Sequence, residues 1–140
     1  MKQFIRQFSV KQILLSDVFL STPLALALIL AAGPIAQWAG GPGATVYLVV
    51  GIVMLLWCVD LAVVAFNERW QERFLTVMIA ADVIWSLLAA ALMVWFADSL
   101  QPLGWVLFAV NVLVPLDMAW MKRVAGSKPS EPAFRRQPAL

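Results

Sequence analysis

The 140-residue chain is 63% hydrophobic and 13% charged, with a mean hydropathy of +0.87 and a formal net charge of +2. Soluble domains are about half apolar and about a quarter charged, so this composition belongs to a membrane protein with one membrane domain. Histidine is absent and Cys58 is the sole cysteine. That excludes a histidine-ligated haem, a histidine base, an intramolecular disulfide and a thiolate metal cluster. Cys58 reads as a small buried hydrophobe.

Residues 1–16, MKQFIRQFSVKQILLS, form a basic stretch in which Phe4, Ile5, Phe8 and Leu15 can share one face. It reads either as an amphipathic helix on the inner leaflet or as a solvated lead-in. The membrane domain is expected at 17–122. A helix of about 20 residues crosses about 30 Å of hydrocarbon, and four stretches qualify: 18–38, 44–66, 75–97 and 103–121. The first resembles a signal peptide in having a basic lead and the small residues AAG. Asp17 in that lead and Pro34 after Gly33 favour an uncleaved helix.

GGPG (40–43), NERWQER (67–73) and DSLQP (98–102) separate the spans and are expected as loops. Such short connections make consecutive helices antiparallel neighbours. The fold class expected is therefore all-α: four transmembrane helices arranged as two antiparallel hairpins. Residues 123–140, which include GSKPSEPAFRRQPAL, read as a basic, disordered cytoplasmic tail.

All ten Lys and Arg residues fall before the first span, in the middle connection or after the fourth span. The positive-inside rule then puts both termini and the middle connection in the cytoplasm. Trp38, Trp95 and Trp105 would lie at the outer boundary, with Trp70 and Trp120 at the inner one, as an aromatic belt. The localisation expected is the bacterial inner membrane.

The spans also carry an internal echo. SDVFLS (16–21) matches ADVIWS (81–86), and VDLA (59–62) matches LDMA (116–119). Each half then enters with Asp-Val-x-x-Ser and leaves with Asp-x-Ala, as a parallel duplication would. Asp17, Asp60, Asp82 and Asp117 would share a depth within about 10 Å of the cytoplasmic boundary, at 1.5 Å rise per residue.

Ser21 lies one turn from Asp17, and Ser86 one turn from Asp82. Two such polar stripes, with Asp60 and Asp117, could converge on a cytoplasm-facing cavity. Asn111 would lie deeper, near a carbonyl left unpaired by Pro115, which lacks an N–H. The candidate polar site is therefore Asp17, Ser21, Asp60, Asp82, Ser86, Asn111 and Asp117. Lys11, Arg69 and Lys122 are the basic residues that could reach these acids by snorkelling.

No glutamate lies in any span, unlike in small multidrug transporters. No P-loop, HExxH or GxSxG motif appears, and no catalytic residue, metal ligand or cofactor is assigned. The small-residue runs ALALILAAG (25–33) and LLAAALMV (87–94) suit close helix packing. ADVIWSLLAAALMV (81–94) and LQPLGWVLFAVNVLV (100–114), followed by a basic end, resemble small uncharacterised four-helix bacterial inner-membrane proteins. That resemblance implies a fold and a location but no activity. The function expected is a non-enzymatic accessory or interaction subunit of a membrane assembly, partnered by another membrane protein or a second copy of itself. The alternative is a small cation- or proton-coupled transporter. Neither involves nucleic acid.

Overall fold

The computed structural model describes residues 9–126 as five α-helices and one 3-10 turn, with no strand among them. The helices are α1 (Val10–Leu30), α2 (Ala32–Ala39), α3 (Ala44–Ala65), α4 (Glu68–Trp95) and α5 (Pro102–Gly126), with the 3-10 turn at Ala97–Ser99. α1, α3, α4 and α5 are each long and apolar enough to cross a membrane. Many of their large side chains face outward, among them Phe19, Leu30, Val94 and Trp95. Such surface suits contact with lipid. The expected all-α architecture with four membrane-capable helices is the one observed.

α1 starts earlier than the first expected span. Ser9 caps it reciprocally: the Gln12 N–H donates to Ser9 Oγ, and the Ser9 N–H donates to Gln12 Oε1. Residues 10–16 therefore run straight into the span, and Ile13 and Leu14 are buried in the bundle. Residues 1–8 of the expected N-terminal segment lie outside the described residues. α1 stops at Leu30 because Pro34 has no N–H to return to the Leu30 carbonyl. The chain restarts as α2 after Ala31, so the expected span 18–38 is two helices.

The middle connection is shorter than expected. Only Phe66 and Asn67 separate α3 from α4, and Glu68–Arg73 form the opening turns of α4. These residues are good helix formers, and polarity alone does not unwind them. Gln71 Nε2 donates to the Ala65 carbonyl at 2.9 Å, which satisfies a bare acceptor at the end of α3. At the far end α5 continues to Gly126; residues 127–140 of the expected tail lie outside the described residues.

α1 packs chiefly on α3, and α4 on α5. Leu14, early in α1, clusters with Leu61, Val64 and Ala65 late in α3, whereas Leu28 meets Tyr47 at the other end. Those two helices therefore run in opposite directions. Gly51 lets them approach closely: a β-carbon there would sit 2.9 Å from the Ala25 carbonyl oxygen and from Leu28 Cβ.

Contacts between the two helix pairs concentrate near their ends. At one end Met78 of α4 joins the Leu14–Leu61 cluster, and Ile13 of α1 packs on Ala125 of α5. At the other, the loops after α2 and α4 form a small clasp. The Gly41 N–H donates to the Ser99 carbonyl at 3.1 Å, and the Gln101 N–H to the Ala39 carbonyl at 2.8 Å. Gly40 and Gly41 hold φ of 66° and 74° there, a region that favours glycine. Tyr47 donates its hydroxyl to the Gly40 carbonyl at 2.9 Å.

Candidate functional site

Lys122 is the centre of the site. Its side chain is 0% exposed, and its Nζ lies 2.7 Å from both Asp17 Oδ2 and Asp82 Oδ2. The three residues come from α5, α1 and α4, so the cluster ties the two helix pairs together. Asp17 and Asp82 are themselves 5% and 4% exposed. An ammonium offers three donors and two are used here. Charge-assisted bonds of this length are about twice as strong as neutral ones. A fully buried ion pair is nonetheless costly to assemble, so the cluster's clearest effect is to fix which helices meet.

The two serines act differently. Ser21 donates to Asp17 Oδ1 at 3.1 Å, so it supports the carboxylate directly. Ser86 donates to the Asp82 backbone carbonyl at 2.9 Å, which closes a local helix turn. Asp82 Oδ1 accepts no hydrogen bond from any described residue.

Above the cluster lies a cavity of about 270 Å³. Asp17, Ser21, Asp82, Trp85 and Asn111 supply its polar and aromatic groups, and Trp57 adds a second indole. Leu20, Leu24, Met54 and Val114 belong to its apolar wall. Trp85 Nε1 donates to Asn111 Oδ1 at 3.3 Å, and Asn111 Nδ2 donates back to the Leu107 carbonyl at 2.9 Å. A second cavity of about 220 Å³, walled by groups such as Leu28, Val46, Leu92 and Phe108, also touches Trp85 and Asn111. That hydrogen-bonded pair therefore stands between a chamber with acids and one almost wholly apolar. Pro115 lies inside α5, which stays helical through it, and lines the first chamber.

Of the seven residues expected in the site, Asp17, Ser21, Asp82 and Asn111 meet at this cavity. Ser86 is buried one turn along from Asp82 without lining it. Asp60 and Asp117 do not join them: both face outward, and neither has a donor among the described residues. Lys122 is the addition. Of the three cations considered for snorkelling, Lys11 sits 4.8 Å over the Phe66 ring and Arg69 is exposed. Lys122 turns inward to the two buried carboxylates of Asp17 and Asp82. Trp57 and Trp85 were also absent from the expected set, since an indole within an apolar run carries no mark of lining a cavity.

The chain matches no protein-family model, no curated protein and no solved structure.

Proposed function

We propose that the protein is a non-enzymatic interaction subunit of a membrane assembly, docking through the outward faces of α3 and α5. The observation that carries this reading is the outward position of Asp60 and Asp117. Each sits among exposed apolar side chains: Val59 and Val63 beside Asp60, and Leu113 and Leu116 beside Asp117. Measured along their helices, both lie about 22–24 Å from the end nearer the loop clasp, at 1.5 Å per residue. Each is therefore near the opposite end of its span, where a lipid-facing carboxylate costs less than at the bilayer centre, and a basic residue on a neighbouring helix relieves the cost that remains. The partner is therefore a membrane helix bearing Lys or Arg near its cytoplasmic end.

The basic residues favour placing both termini in the cytoplasm, and the resemblance to small four-helix bacterial inner-membrane proteins favours that membrane. The shared fates of the matched acids support a duplicated ancestry. Asp17 and Asp82 both turn inward, and Asp60 and Asp117 both turn outward.

Photo-crosslinkers at Val63 and Leu113 test the docking. They should capture a second polypeptide, whose cross-linked segment is a membrane span containing Lys or Arg. Asp60→Asn/Asp117→Asn should reduce that capture by about tenfold, equivalent to about 1.4 kcal/mol. Adducts with lipid alone would overturn the proposal.

A second reading, cation- or proton-coupled transport, is favoured by the meeting of Asp17, Ser21, Asp82 and Asn111 at one cavity. Flux into liposomes that is lost in Asp82→Asn would support it. Absence of flux under every imposed gradient would remove it.

A further inference from the structure

We propose that the cavity takes an apolar organic monocation, with its ammonium group against Asp82 and its carbon skeleton against Leu24, Met54 and Val114. This rests on the second reading only in placing a cation there; it names the chemical class and requires no transport.

Charge is the first argument. Two carboxylates share one ammonium, so the cluster carries one formal negative charge in excess. No other described cation reaches it: Lys11 is over Phe66, and Arg69, Arg73 and Arg123 are exposed. An uncompensated buried charge is expensive, and a ligand with one positive charge offsets it. The anionic partner is in place, because Asp82 lines the cavity, is 4% exposed, and keeps Oδ1 without a donor among the described residues, so a quaternary ammonium, which has no N–H, can approach it by charge alone.

Size and walls give the class. A volume of about 270 Å³ equals that of about nine liquid waters, far more than a bare ion fills. It falls just below the range of about 300–1,000 Å³ typical of sites for drug-sized ligands, so the ligand is small. No group of three or more metal-ligating side chains exists among the described residues. Trp57 and Trp85 line the space, and indoles attract organic ammonium groups through their ring faces. The remaining wall is largely aliphatic, which suits a hydrocarbon body and gives a strongly hydrated ion nothing in exchange for its water.

Benzyltrimethylammonium tests the proposal against its neutral carbon isostere, neopentylbenzene. Both are offered to the full-length protein in lipid nanodiscs, and binding is read by equilibrium dialysis with no gradient across the membrane. The cation should bind saturably, one per protomer, and the isostere should not displace it. Asp82→Asn should weaken binding by at least about tenfold. Val114→Phe, which fills the cavity and leaves the Asp17–Lys122–Asp82 cluster untouched, should abolish binding in a protein whose fold is confirmed by circular dichroism. No saturable binding to the wild type, equal binding of the isostere, or binding unaffected by Val114→Phe would each overturn the proposal. Binding without flux would leave this inference standing and remove the transport reading. Proton or sodium flux without benzyltrimethylammonium binding would do the reverse.

Discussion

Lys122 follows Asp117 on α5 at the same spacing by which Ala65 follows Asp60 on α3, and both side chains are buried, at 0% and 1% exposure. Only one of these matched places carries charge. The second helix pair thus supplies the single cation that both inward aspartates use. The asymmetry sets what substitution in the cluster should do.

Lys122→Met should be the most damaging single change there. It leaves two buried carboxylates without a counter-charge, and breaking a buried pair in this way costs about 3–5 kcal/mol. Asp17→Asn leaves a neutral Lys122–Asp82 pair and should cost less, about 1–3 kcal/mol. Unfolding by denaturing detergent, followed by circular dichroism, would rank the two. Equal damage would contradict the charge accounting.

Asp17→Asn/Asp82→Asn should be nearly as harmful as Lys122→Met, because it strands the ammonium. Adding Lys122→Met to that pair removes every charge and should recover most of the loss, since neutral replacement of a buried ion cluster is often close to neutral in stability. Thermal midpoints of the four proteins form the cycle. Failure of the third substitution to rescue would show that shape, more than charge, holds this junction.

Hydropathy exposes the four spans in the sequence, because continuous apolar runs of this length have few other uses. The limits of α4 were harder to read: in NERWQER, high helix propensity prevails over the polarity that suggested a loop. The acids divide for a different reason. Asp17 and Asp82 each carry a serine one turn on, and these are the two that face the bundle; Asp60 and Asp117 have only apolar residues one turn to either side, so nothing in the pattern gave their direction. Lys122 was visible as a cation within reach, but its burial depends on α1 lying against α5, a contact between residues 105 positions apart.

Gly104→Ala should destabilise the loop clasp. A β-carbon at Gly104 would collide with the Ala39 carbonyl oxygen, the group that accepts from the Gln101 N–H. Overpacking of this kind costs about 1–3 kcal/mol. Hydrogen exchange should rise at the Gln101 and Gly41 amides before it rises within α4. Unchanged protection at both amides would contradict the close approach.

Trp85→Phe keeps a ring between the two chambers and removes the N–H donated to Asn111. The expected loss is about 1 kcal/mol. Restoring the balance with Asn111→Leu should recover part of it, because the stranded acceptor is then gone. No recovery would place the importance of Asn111 in its bond to the Leu107 carbonyl.

Orientation can be read with cysteine labelling in a Cys58→Ser background, since the native thiol is buried. Ser99→Cys should react with a membrane-impermeant maleimide applied outside spheroplasts, and Glu72→Cys only after lysis. The opposite pattern would reverse the proposed topology.

The clasp at Gly41–Ser99 and the ion cluster at Lys122 fasten the same two helix pairs at opposite ends. One pair cannot slide past the other without breaking a fastening. Both chambers, with Trp85 and Asn111 shared between them, lie between the fastenings, so their walls are held in register from both ends.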